Sequence, residues 1–328
     1  MRHLTAVFLL VLAALPDRAG VDRALDAHIL PGFARFAVAA GALGEAARAD
    51  CRASTLHAPF HAAFDAWMAV GDIRLGPSET GALSVAFWPD PRGFTRRALA
   101  GLIAARDPVA RDPATFATVS IAARGLFALE MLIHDPEFAR YDQGDYSCTL
   151  ARAITADLAA QAQALERGWR EEFAPLLRNA GSPGNATFLT PAEAMRALYT
   201  QVIASLEFTA GQRLGRPLGS FERPRPRLAE AWRSGRSLRN ALLASESAHA
   251  LATALADTPL PRSDAALARV REAAAAITDP AFQDITDPVA RLRLEILQQA
   301  VRALKSAIEA EIGSRLGLTA GFNAQDGD

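Results

Sequence analysis

Lysine is almost absent. Of 35 basic residues only Lys305 is a lysine, and the rest are arginines. They are matched by 36 acidic residues, for a formal charge of −1, so there is no basic excess of the kind a general nucleic-acid binder needs. Only two cysteines are present, which excludes a multi-cysteine zinc site and a dense disulfide scaffold. Past the N-terminus no segment reaches 18 uninterrupted apolar residues, the length that reads as a membrane span. There is no His-Glu-x-x-His, no Gly-x-Ser-x-Gly elbow and no phosphate loop. Half of the residues are hydrophobic and 22% are charged, a globular composition rather than a disordered one.

The N-terminus carries an address. Met1-Arg2-His3 is short and basic, Leu4 to Leu15 is uncharged and almost wholly apolar, and Pro16-Asp17-Arg18-Ala19-Gly20 breaks the run. This is the order of a secretory signal, assigned to residues 1–20, and the run is short of the ~20 residues that span a bilayer. No cysteine follows it to accept a lipid; the first is Cys51. The expectation is a periplasmic protein with no transmembrane segment once the signal is removed. In an oxidising compartment Cys51 and Cys148 can pair. That bridge would close a loop of roughly a hundred residues and contribute about 2–5 kcal/mol, the alternative being two separate buried thiols.

Alanine and leucine dominate, and runs with period-two alternation are missing, so the chain reads as all-α. Asp-Pro pairs at 90–91, 107–108, 112–113, 135–136, 279–280 and 287–288 mark helix starts, because Asp caps and Pro suits the first helical position. Thr190-Pro191-Ala192-Glu193 adds a capping box. These signals predict helices near 21–50, 58–71, 92–106, 113–134, 147–178, 191–213, 225–257, 262–278 and 288–315. The Gly-, Asn- and Ser-rich stretch from Asn179 to Thr190 is the expected boundary between two helical bundles, 21–185 and 186–328, of roughly four helices each.

From Val119 to Ile133 apolar residues lie all round the predicted helix, and only Arg124 and Glu130 are charged. A carboxylate removed from water is costly unless paired. Glu130 is therefore the first functional candidate; a structural Glu held by an arginine of a neighbouring helix is the competing reading. Arg124, six residues back, lies about 240° around the helix and is poorly placed to be the partner.

Gly125-Leu126-Phe127-Ala128-Leu129-Glu130 resembles the Gly-x-His-x-x-Glu motif of the imelysin-like family of exported bacterial proteins. Leu75-Gly76-Pro77 followed by Phe87-Trp88-Pro89-Asp90 is similar to the family's N-terminal pattern. Ala231-Trp232-Arg233-Ser234-Gly235-Arg236-Ser237 and the tail Gly321-Phe322-Asn323-Ala324 with Asp326-Gly327-Asp328 resemble its predicted-lipoprotein branch. The resemblance covers nearly the whole mature chain. It implies two helical-bundle domains, a site in the cleft between them and an association with bacterial iron uptake. Some members were described as metallopeptidases, an activity not general to the family.

The sequence departs from the motif at Phe127, where the family has histidine. His and Glu at i and i+3 share a helix face and could ligate one metal, whereas Phe offers no lone pair. Only Gly125 and Glu130 match, which weighs against metallopeptidase activity and direct iron binding. His134, i+4 from Glu130, reads as a helix-end residue, and His57, His61 and Asp65 read as a polar helix edge rather than a ligand row. The second half concentrates Arg213, Arg216, Arg223, Arg225, Arg227, Arg233, Arg236 and Arg239, either a solvated basic face or a site for an acidic group.

The site expected from the sequence is thus Glu130, Gly125, Phe127, Trp67, Trp88, Arg233 and Ser234, with core packing as the competing reading for the tryptophans. The protein is expected to be a non-enzymatic binder of a small organic or peptide-like acidic ligand, with iron-uptake components as partners and no nucleic acid. A metallopeptidase-like hydrolase using Glu130 and a helical interaction scaffold are the alternatives. The sequence names no cofactor and no metal ligand.

Overall fold

The computed structural model describes residues 16–313. The apolar run read as an export signal and the motif-bearing tail lie outside the described residues. Among those described there is no strand, and the elements are helices throughout.

The first half comprises α1 (Pro16–Ala24), α2 (Leu30–Ala49), α3 (Ala53–Met68), α4 (Pro77–Val85), α5 (Phe94–Ala105), α6 (Pro113–Phe116), α7 (Gly125–His134), α8 (Tyr146–Arg167) and α9 (Ala174–Arg178). A π-helical turn, Leu25–Ile29, joins α1 to α2, and another, Gly168–Phe173, joins α8 to α9 just before Pro175, which has no amide to donate. The second half comprises α10 (Pro191–Phe208), α11 (Gly215–Leu218), α12 (Ser237–Leu255), α13 (Pro261–Ala275) and α14 (Pro288–Ile308). The helix α2 packs against α3 and α8, and α13 against α14, as antiparallel neighbours do. The run from Asp17 to Ala49 is long and apolar enough to cross a membrane by composition, yet Leu25, Ile29, Phe33, Phe36 and Leu43 are wholly buried in the core.

One contiguous apolar core joins the two halves. The first helix α1 packs on α10 and α12, and Arg18 donates to the carbonyl of Ala180 at 3.0 Å. The aspartates of the Asp-Pro pairs act as caps. Asp287 accepts from the amides of Val289 and Ala290, both at 2.9 Å, and Asp90 from those of Phe94 and Thr95 at 2.9 and 2.8 Å. At α10, Thr190 Oγ1 accepts from Glu193, while Glu193 reaches back to the amide of Leu189.

Three predicted helices need correction, and one further helix is new. The helix expected over 113–134 breaks after Phe116 and resumes at Gly125, whose φ of +71° ends the preceding turn. The helix expected from 225 begins at Ser237, so residues 229–236 form a loop. The helix α3 starts five residues before 58 and runs through Pro59, at the loss of one bond to the carbonyl of Thr55. The helix α4 was not predicted at all.

Cys51 and Cys148 form a disulfide, with Cα atoms 5.3 Å apart, tying the end of α2 to the start of α8. A buried ion network also clamps the halves together. Arg213 donates to both oxygens of Asp72 at 2.8 Å and to Glu230 at 2.9 Å, and Asn240 adds a bond to Glu230. Burial opposes ionisation of Asp72, but the charge and hydrogen bonds of Arg213 outweigh it and hold the carboxyl below its ordinary range.

Candidate functional site

Glu130 is 3% exposed in the middle of α7, every residue of which is buried except His134. Gly125 starts that helix. A Cβ there would lie under 3.0 Å from the carbonyl oxygens of Ser84 and Val85, so glycine is needed both for its φ and for the close approach. Its contribution is to seat α7 against α4.

The partner of Glu130 comes from the second half of the chain. The loop after α11 turns sharply at Ala231 and Gly235, with φ of 47° and 69°, and the Arg236 amide closes it onto the carbonyl of Ala231 at 3.0 Å. This turn presents Ser234, whose amide and hydroxyl both donate to Glu130 Oε1, at 2.9 and 2.8 Å. The other oxygen, Oε2, has no hydrogen-bond or ion-pair partner among the described residues. Burial pushes the Glu130 carboxyl above its ordinary range, against the two Ser234 bonds and the charge of Arg233. Arg124 is committed elsewhere, bidentate to Asp157 at 2.9 and 2.7 Å.

Glu130 borders a cavity of about 170 Å³ walled by both halves. Trp88, Thr95, Phe127 and Met131 line it from the first half, and Arg216, Arg227, Trp232 and Arg233 from the second. Phe127 stacks on Trp88 with ring centroids 6.3 Å apart and meets Phe64 edge-on at 5.5 Å. Arg233 lies over Trp232, 4.5 Å from its centroid, and bonds Asp135 at 2.6 Å. Arg216 and Arg227 are less committed: Arg216 reaches Gln212 at 3.4 Å, and Arg227 has no carboxylate partner among the described residues.

The structure thus brings together Glu130, Phe127, Trp88, Arg233 and Ser234, with Ser234 holding the carboxylate rather than lining the cavity. It does not bring in Trp67, which was expected there. Trp67 is 3% exposed in the core, 4.9 Å from the Phe36 ring and packed on Gly71. Gly125 acts on the backbone and is not in the wall. Sequence reasoning missed Thr95, Asp72 and Glu230. Nothing local marks Thr95, and the Asp72–Arg213–Glu230 network joins residues too distant in sequence to be paired by pattern.

The residues at Glu130 do not fit a metal ion. Phe127 has no donor atom, Oε1 is taken by two Ser234 donors, and no group of three His, Cys, Asp or Glu among the described residues is placed to hold one. The histidines lie apart from the cavity wall. His57 and His134 stack at 4.2 Å, and His57 Nε2 bonds the carbonyl of Ile133 at 3.0 Å. Burial, followed by the charges of His57, His61 and Arg236, pushes the His134 pKa down to about 3. Arg236, 1% exposed, bonds His61 Nδ1 at 3.0 Å and Asp65, pinning the start of α12 to α3.

Residues 29–308 match the imelysin family, peptidase M75, and the chain belongs to that family. Its fold is similar to the crystal structure of an imelysin-like protein from Psychrobacter arcticum 273-4, at a TM-score of 0.78 and 16% identity over 96% of this chain and 100% of that one. It is also similar to a putative iron-regulated protein A precursor from Parabacteroides distasonis ATCC 8503, at a TM-score of 0.68 and 15% identity over 89% of this chain and 95% of that one. No curated protein matches.

Proposed function

We propose that this imelysin-family chain is an exported, non-enzymatic binding protein that takes a small acidic organic ligand in a cleft between two helical bundles, at the Glu130 cavity. The observation that carries the reading is the charge balance of that cavity. Arg216 and Arg227 face it without carboxylate partners, while Asp90 is spent capping α5 and Glu130 is driven towards its neutral form. An acid is the ligand such a wall stabilises, and Trp88, Phe127 and Met131 give it an apolar surface to cover.

Export to the periplasm is supported by the basic, then apolar, N-terminus and by the disulfide, which persists in oxidising compartments. A role associated with iron uptake is supported by the family and by the neighbour described as a putative iron-regulated protein A precursor. The test is native mass spectrometry with metal analysis on protein recovered from the periplasm. A co-purified organic acid and no stoichiometric metal is the expected result. Stoichiometric zinc or iron would overturn the reading in favour of a metal-dependent hydrolase or a metal carrier.

A further inference from the structure

Thr95 is the second residue of α5, 3% exposed, and borders the same cavity. Its amide is bonded to Asp90, but its hydroxyl Oγ1 is buried with no hydrogen-bond partner. A buried hydroxyl left unpaired is costly, and native proteins rarely keep one without a use. On the same first-half wall, Glu130 Oε2 is also without a hydrogen-bond partner among the described residues. Thr95 and Glu130 line one wall and Arg216 and Arg227 the other, and an unpaired oxygen on each of the first two calls for a ligand with a polar group besides its acid.

Resting on the acidic-ligand reading above, we propose that the cavity selects small apolar hydroxy acids and that Thr95 is the residue that reads their hydroxyl. The acid faces Arg216 and Arg227, the apolar body covers Phe127 and Trp88, and the hydroxyl pairs with Thr95 and Glu130. A hydroxyl suits that pair because it both accepts and donates: with Oε1 filled by Ser234, the proton of a neutral Glu130 lies on Oε2 and is given to the ligand hydroxyl, which gives its own to Thr95 Oγ1. An ammonium fits poorly: it accepts nothing, and it would enter a wall whose unpaired charges are arginines.

Three probes separate the parts: phenylpropionate, which has only the acid; phenyllactate, which adds the hydroxyl; and phenethylamine, which has no acid. Each is titrated calorimetrically into the full mature protein and into the variants Thr95→Val and Thr95→Ser. Phenyllactate is expected to bind at least tenfold more tightly than phenylpropionate. That preference should vanish in T95V, survive in T95S, and leave phenylpropionate affinity unchanged throughout. Without ligand, T95V should melt no lower than the parent, since the valine replaces a hydroxyl that bonds nothing. Phenyllactate binding no better than phenylpropionate would overturn the assignment to Thr95 and leave the acidic-ligand reading standing. A lower melting temperature for unliganded T95V would do the same, by revealing a structural partner. Binding of phenethylamine alone, or of neither acid, would overturn the acidic-ligand reading and the proposal with it.

Discussion

Ser234 holds Glu130 by one oxygen, giving both its amide and its hydroxyl to Oε1 across 104 positions of sequence. Removing the hydroxyl with Ser234→Ala leaves the amide bond and costs about 1–2 kcal/mol, the range for a hydrogen bond to a carboxyl group that can be charged. Urea denaturation at neutral pH measures it. A change below about 0.3 kcal/mol would mean that the amide alone fixes the carboxylate.

The raised pKa of Glu130 fixes the sign of a pH effect. A carboxyl whose folded pKa exceeds its unfolded value of 4.5 binds its proton more tightly in the native state. Its favourable contribution is complete below the unfolded pKa and is lost as pH rises through the folded one. Glu130→Gln keeps an acceptor for Ser234 and does not ionise, so it should be neutral or stabilising at pH 7 and should remove this part of the pH dependence. Glu130→Ala leaves both Ser234 donors unpaired beside a cavity and should cost about 2 kcal/mol. Denaturation of the three proteins between pH 4 and 8 decides the matter. A Gln variant much weaker than the parent at pH 7 would show that the native site needs the charge.

Arg213 is the buried cation between Asp72 and Glu230. Arg213→Met should cost about 3–5 kcal/mol, because it leaves two buried carboxylates without their counter-charge. Since Asp72 is held below its ordinary range, its contribution is present above the unfolded pKa of 3.8 and is lost as pH falls through the folded value. Arg213→Lys should rescue little, because one ammonium cannot reproduce the fork on Asp72. Thermal melts of both variants are the check, and near-parental stability of the Met variant would contradict it.

Gly125→Ala should destabilise by more than about 3 kcal/mol or prevent folding. The added methyl meets two backbone carbonyls, and the residue sits at a φ of +71°. The melting temperature of the variant by circular dichroism tests this. A drop of only a few degrees would mean that α4 and α7 can separate cheaply.

The fold was legible in the sequence wherever a local rule governs. Asp-Pro pairs caught the starts of α6 and α14 because an N-cap is made by residues that are neighbours in the chain. The loop carrying Ser234 was not legible. Arginine and alanine favour helix locally, and it is the positive φ at Ala231 and Gly235, stabilised by contacts with Glu130 and α3, that overrides them. Glu130 stood out because a lone charge on an apolar helix is visible in one dimension. Trp67 was misplaced because a tryptophan in the core and one in a cavity wall have the same local pattern. Thr95 was invisible because what marks it is a partner it lacks, which only three dimensions reveal.

The disulfide joins residues 97 apart, and every first-half residue that walls the cavity, from Phe87 to Met131, falls inside that span. One whole face of the cavity is therefore carried by a covalently closed ring. Closing the ring restricts how far that face can open by local unfolding, so amide exchange in α5 and α7 should be slow while the bond is intact and should quicken on reduction. The redox state of the compartment then acts on the shape of the cavity through Cys51 and Cys148, neither of which touches it. Oxidation is in this sense a maturation step for the site as well as for the fold.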